Sequence, residues 1–171
     1  MATKTYLLQP EKKVIKQGYL MTDENGETVY EAKVLKQPLI GAMQVEFINR
    51  LTGVSSQHKI GQTVTSQTFT GGLSDMFSVK SHFKYDGEKI WDYLHGLGIR
   101  INSALSGNKI GMTYEVSLKG SPLAKIASST PKGKSIITTS FFYDVTCDEA
   151  DLDLAFLVAY SIARTDQTFY S

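Results

Sequence analysis

The chain has 171 residues, 42% of them apolar and 20% charged, proportions that exclude intrinsic disorder and a low-complexity polymer. Lys and Arg number 18 against 17 Asp and Glu, so no overall basic surface recommends a nucleic acid as partner. Cys147 is the only cysteine, which excludes an intrachain disulfide and a multi-cysteine metal site.

No linker or composition shift divides residues 1–171, and a single domain is expected. The opening MATKTYLLQPEKK lacks the continuous apolar run of about 7–15 residues that a secretory signal needs, which points to a cytoplasmic location. Thr5–Leu8 and Val14–Met21 read as the first strands. Asp23-Glu-Asn-Gly-Glu27 follows, in which Asn25-Gly26 suits the two left-handed positions of a type I′ turn, with Thr28–Val34 returning. Met43–Asn49 and Val54–Ile60 flank a turn at Leu51-Thr52-Gly53, and Thr63–Thr70 is weakly patterned. In Met76–Tyr85, Phe77, Val79, Phe83 and Tyr85 alternate with Ser78, Lys80, His82 and Lys84, the pattern of a half-buried strand.

Asp86-Gly87 turns the chain into Glu88–Leu94, which contains the only tryptophan, Trp91. Ile99–Ile101 comes next, and Met112–Leu118 is a second cleanly alternating strand, turned by Gly120-Ser121-Pro122 into Leu123–Ser128. Ser135–Val145 completes the β-rich part. The spacing gives about ten to twelve strands joined by hairpins, an antiparallel meander without βαβ units.

The last segment differs in kind. Asp148, Glu149, Asp151 and Asp153 open a helix expected over 149–163, in which Leu154, Phe156, Leu157, Val158 and Ile162 point to all sides and only Ser161 is polar. The run is about half the length of a membrane span, so it is not transmembrane and must be enclosed by protein. A sheet of so many strands tends to close, and the helix is the one element apolar enough to fill it. The expected fold is therefore mainly β: a closed antiparallel barrel of about twelve strands around a central C-terminal hydrophobic helix. The four carboxylates are expected to cap the helix N-terminus and favour its dipole, and they lack the spacing of a calcium loop.

A β-meander ending in an acidic turn, an apolar helix and a Thr-Phe-Tyr tail resembles the tubby C-terminal-like superfamily, in particular its LURP-one-related and phospholipid-scramblase-like branch. The resemblance is carried by Tyr19-Leu-Met-Thr-Asp-Glu-Asn-Gly-Glu-Thr-Val-Tyr30, the two amphipathic strands, Leu123-Ala-Lys-Ile-Ala127 and Asp151-Leu-Asp-Leu154. It implies the same barrel around a helix and, for function, phosphoinositide or other anionic phospholipid at a membrane surface, with the protein peripheral to it. The basic residues nearest to that role are Lys80 and Lys84 on a wet strand face and Lys132 and Lys134 in a loop; an ordinary solvated surface is the simpler account of each.

No catalytic motif stands out. His58, His82 and His95 are far apart with no closely spaced ligand partner, there is no G-x-S-x-G elbow, and Gly96-Leu-Gly98 lacks the third glycine of a dinucleotide loop. No metal and no cofactor is implied, and a non-enzymatic module is expected. It binds either a phospholipid surface or a protein partner, with no small-molecule ligand in the second case. Cys147 reads as a small buried residue at the start of the helix, the alternative being a thiol activated by the helix N-terminus.

Overall fold

A computed structural model describes the backbone of residues 3–11, 16–37, 43–62, 66–70, 76–83, 89–94, 99–105, 112–129 and 142–170, and the side chains of 3–11, 16–37, 43–59, 113–129 and 142–164. In chain order the strands are β1 (Thr3–Pro10), β2 (Tyr19–Thr22), β3 (Thr28–Lys36), β4 (Met43–Asn49), β5 (Ser55–Gln62), β6 (Ser66–Thr70), β7 (Met76–Phe83), β8 (Lys89–Leu94), β9 (Ile99–Leu105), β10 (Met112–Leu118), β11 (Ser121–Ser128) and β12 (Tyr143–Asp148). A single 3-10 turn, Glu149–Asp151, leads into helix α1 (Leu152–Tyr170).

The part in which side chains are described is one antiparallel sheet of eight strands in the order β5-β4-β3-β2-β1-β12-β11-β10, with the helix against its inner face. This corrects the expectation of a closed, filled barrel of about twelve strands: β5 and β10 are the ends of that sheet and do not pair with each other, so the eight strands are not closed. Strands β6 to β9 lie between those ends as backbone only, paired in sequence order from β5 round to β10, so the closure is one of backbone pairing and not of described core. Alternation and turn residues along the chain mark which segments are strands, whereas the extent of a packed wall is set by contacts between strands.

That alternation is plain in the eight-strand sheet. Tyr6 and Leu8 of β1, Tyr19 and Met21 of β2, Met43, Val45 and Phe47 of β4, and Tyr143, Val145 and Cys147 of β12 are buried, each with a more exposed residue between. The first and last strands meet, with Thr3 opposite Asp148 and Leu8 opposite Tyr143. The helix therefore leaves the sheet beside the start of the chain.

Turn chemistry departs from expectation in two hairpins. Between β2 and β3 only Gly26 is left-handed, at φ 79°, and Asn25 is not, so the turn is not type I′. Asp23 organises it instead: its carbonyl accepts from the Gly26 N–H at 3.0 Å, and its carboxylate accepts from the N–H groups of Asn25 and Glu27. The type I′ pattern occurs between β10 and β11, where Lys119 and Gly120 lie at φ 51° and 87°. The strand after it thus begins at Ser121, not Leu123.

One glycine is fixed by contact. A Cβ on Gly18 would stand 2.0 Å from the Ala32 carbonyl oxygen, where the link between β1 and β2 is held by Glu11 N–H to Gly18 O at 2.9 Å. Of the expected strand Val14–Met21 the described strand begins at Tyr19 in β2, and of Ser135–Val145 the described strand begins at Tyr143 in β12, which runs on to Asp148; residues 12–15 and 130–141 lie outside the described residues.

The helix is enclosed, as a segment with no polar face requires. Every residue from Ala155 to Ala163 is buried, Leu154 being only partly so. Its aromatic face is Phe156 and Tyr160, one turn apart. Phe156 stacks on Tyr30 at 4.3 Å between centroids and meets Phe47 edge-on at 5.4 Å, and Tyr160 lies edge-on to Tyr19 and Phe47. Ser161, the lone polar residue of the run, donates its hydroxyl to the Leu157 carbonyl at 2.8 Å, within the helix.

Candidate functional site

The chemically dense part of the described molecule is the end at which the helix begins. The four carboxylates there do not act as expected. Asp148 occupies the N-cap position but makes no side-chain cap; it accepts instead from the Thr3 hydroxyl at 3.0 Å. Glu149 takes the Lys4 ammonium at 3.1 Å, an exposed pair that holds the Lys4 amine above its ordinary pKa. Asp153 faces inward, where one carboxylate oxygen accepts from the Tyr30 hydroxyl at 2.7 Å and from the Asn49 amide at 3.2 Å.

The Asp153 contacts join three elements at one point. Asn49, only 5% exposed, also uses its side-chain oxygen to accept from the N–H groups of Leu51 and Thr52, closing the turn from β4 to β5. Burial, then the Asp153 hydrogen bond, raises the Tyr30 pKa so far that its hydroxyl stays a donor. The turn beyond it displays Leu51 and Val54, the exposed large apolar residues among those described, beside Arg50, which pairs with Glu31.

A cleft of about 440 Å³ opens on the same end, bordered by β10, β11, β12 and the 3-10 turn. Its cause is a mismatch in strand length. The pairing of β11 with β12 stops at Ala124 opposite Cys147, because β12 leaves the sheet after Asp148, while β11 begins three residues earlier at Ser121. Pro122 and a register shift between Val116 and Ser117 disturb the ladder at the same level. Among the described residues the cleft is lined by Glu115, Asp148 and Asp151, by one cation, Lys125, and by the apolar Val116, Pro122, Leu123 and Ala124.

Cys147 lines this cleft but is 2% exposed, and its thiol is pushed up to about 12, by burial first and then by Asp151 and Asp148. It is a neutral buried thiol, the opposite of an activated one. His58 is likewise buried, with its ring 4.5 Å from Phe47 and Nε2 3.1 Å from the Ser56 hydroxyl, and burial lowers its pKa. Among the described residues no three acidic, His or Cys side chains are placed to hold a metal ion, and no helix is long and apolar enough to cross a membrane.

Of the residues singled out by sequence, Phe156, Leu157, Val158 and Ile162 are in the core and Leu154 packs at its edge. Lys80 has its backbone in β7, and its side chain lies outside the described residues, as do Lys84, Lys132 and Lys134 entirely. The side chains of His82, Trp91 and His95 lie outside them too. Glu115, Lys125 and Tyr30 were not legible as site residues, because each is an ordinary member of an alternating strand. Asp153 was legible only as a carboxylate near a helix start.

No protein-family model matches the chain, and neither the curated proteins nor the solved structures contain a match to it.

Proposed function

We propose that this protein is a non-catalytic binding module that docks a protein partner at the end where its helix begins. The observation that carries this reading is the cleft between β10, β11, β12 and the 3-10 turn, an open site with polar and apolar lining on a molecule whose described core is packed around its own helix. The buried titratable groups among the described residues favour the same class. Cys147 is held neutral, and the His58 and Tyr30 side chains serve the core and the helix start.

Native mass spectrometry of the full chain isolated from its own cells tests the proposal. A single stoichiometric protein partner is expected, lost when Glu115→Lys and Asp151→Lys are combined. A partner retained by that variant, or phospholipid retained in place of protein, overturns it.

A second reading, binding to an anionic phospholipid surface, rests on the tubby-like resemblance and on one described feature. Lys16 and Lys36 are exposed at the strand ends opposite the acidic helix start, so an anionic surface has an approach free of the repulsion it meets at Asp148, Glu149 and Asp151. It calls for salt-sensitive sedimentation with anionic vesicles, weakened by Lys132→Glu with Lys134→Glu.

A further inference from the structure

Resting on the reading of the cleft as a protein-docking site, the geometry points to its occupant: an arginine or lysine side chain presented by an extended basic segment of the partner. The lining decides the sign. Among the described lining residues, three carboxylates, Glu115, Asp148 and Asp151, stand against one ammonium, Lys125, a formal excess of two negative charges. Glu115 and Lys125 are direct cross-strand partners and offset one another, which leaves the excess at Asp148 and Asp151. The Thr3 hydroxyl bonded to Asp148 is neutral and leaves that charge in place. The negative field of both residues reaches the wall of the cleft, where it opposes ionisation of the Cys147 thiol.

The apolar part of the lining decides the shape of the occupant. Val116, Pro122, Leu123 and Ala124 line the same cleft as the carboxylates, and a side chain with a methylene stem and a cationic head suits both kinds of lining. A compact metal ion would leave the apolar residues uncovered. The form of the segment follows from the overhang of β11, whose residues Ser121 and Pro122 lie beyond the end of β12. An extended chain can lie along that gap with its basic residue over Asp148 and Asp151.

The test is a ¹H–¹⁵N NMR titration of the full chain with three blocked pentapeptides, Gly-Val-Arg-Val-Gly, Gly-Val-Glu-Val-Gly and Gly-Val-Val-Val-Gly, and with spermidine as a free amine. The arginine peptide is expected to give saturable shifts at Ser117, Leu123, Lys125 and Asp151, the other two peptides none, and spermidine weaker ones. Asp151→Asn with Glu115→Gln should weaken the arginine peptide about tenfold or more while leaving thermal unfolding unchanged. Equal shifts from the neutral peptide, shifts centred elsewhere, or tighter binding of spermidine overturn the inference. A variant that loses the arginine peptide but keeps a stoichiometric partner overturns it too, and that result leaves a docking surface standing elsewhere on the rim. Failure of the docking reading itself shows instead as absence of any protein partner in native mass spectrometry.

Discussion

The body of the helix and its start are built on opposite rules. From Ala155 to Ala163 every side chain is enclosed and, apart from the hydroxyls of Tyr160 and Ser161, apolar, and what the sheet recognises there is volume and shape. From Asp148 to Asp153 each carboxylate finds a different environment: Thr3 for Asp148, Lys4 for Glu149, the cleft for Asp151, Tyr30 and Asn49 for Asp153. Burial of the body drives folding without direction. The start supplies direction, because hydrogen bonds to named groups on β1, β3 and β4 fix where along the sheet the helix begins.

The largest effect expected comes from breaking the body. Leu157→Arg, or deletion of 149–171, should leave an insoluble or protease-sensitive chain, since a charge would be buried without a partner or the core left empty. The milder Phe156→Ala should cost about 3–5 kcal/mol in urea unfolding, the range for a buried aromatic that leaves a cavity. A soluble truncation with an unchanged β circular-dichroism spectrum would sink the contrast at its root.

Breaking the start should cost less and couple more. Asp153→Ala removes the acceptor of the Tyr30 hydroxyl and the Asn49 amide, at about 1–3 kcal/mol. Combined with Tyr30→Phe it should cost less than the sum of the single changes, because one interaction is then counted twice. Strict additivity in the double-mutant cycle would show that the three groups do not form one unit. The exposed Lys4–Glu149 pair belongs to the start in position only, as ion pairs in water contribute little.

The smallest effect is a pH dependence from His58, which belongs with the body because it is buried against Phe47. Burial lowers its folded-state pKa below the ordinary value of 6.5, so the unfolded chain binds the proton first as pH falls. The stability tied to the neutral ring is therefore fully present above pH 6.5 and declines as pH drops from there through the folded-state value. Urea midpoints taken from pH 7.5 down to 5 should fall, and His58→Gln should flatten that fall; an equal slope in the variant would assign it to other groups.

Met43–Asn49 was legible to the residue and β10 to within one, Lys119 belonging to the turn, because half-burial imposes a period of two. The turn at Asp23–Glu27 was legible in place but not in type. Asn-Gly permits two left-handed residues, and the Asp23 carboxylate favours an alternative in which one suffices. The cleft was not legible at all. It arises from strand lengths that differ between neighbours distant in sequence, and no local pattern records how far β11 outlasts β12.

What the sequence determined by itself is the class of structure: antiparallel strands from alternation and turn residues, and one helix that has to be enclosed because it has no side fit for water. Only the tertiary structure decided how far the packed sheet extends around that helix, which partner each carboxylate takes, and that a negative cleft opens beside Cys147. These depend on contacts between residues more than a hundred positions apart, such as Thr3 with Asp148 and Tyr30 with Asp153, and a contact of that range is set by the register of the whole sheet rather than by neighbours in the chain.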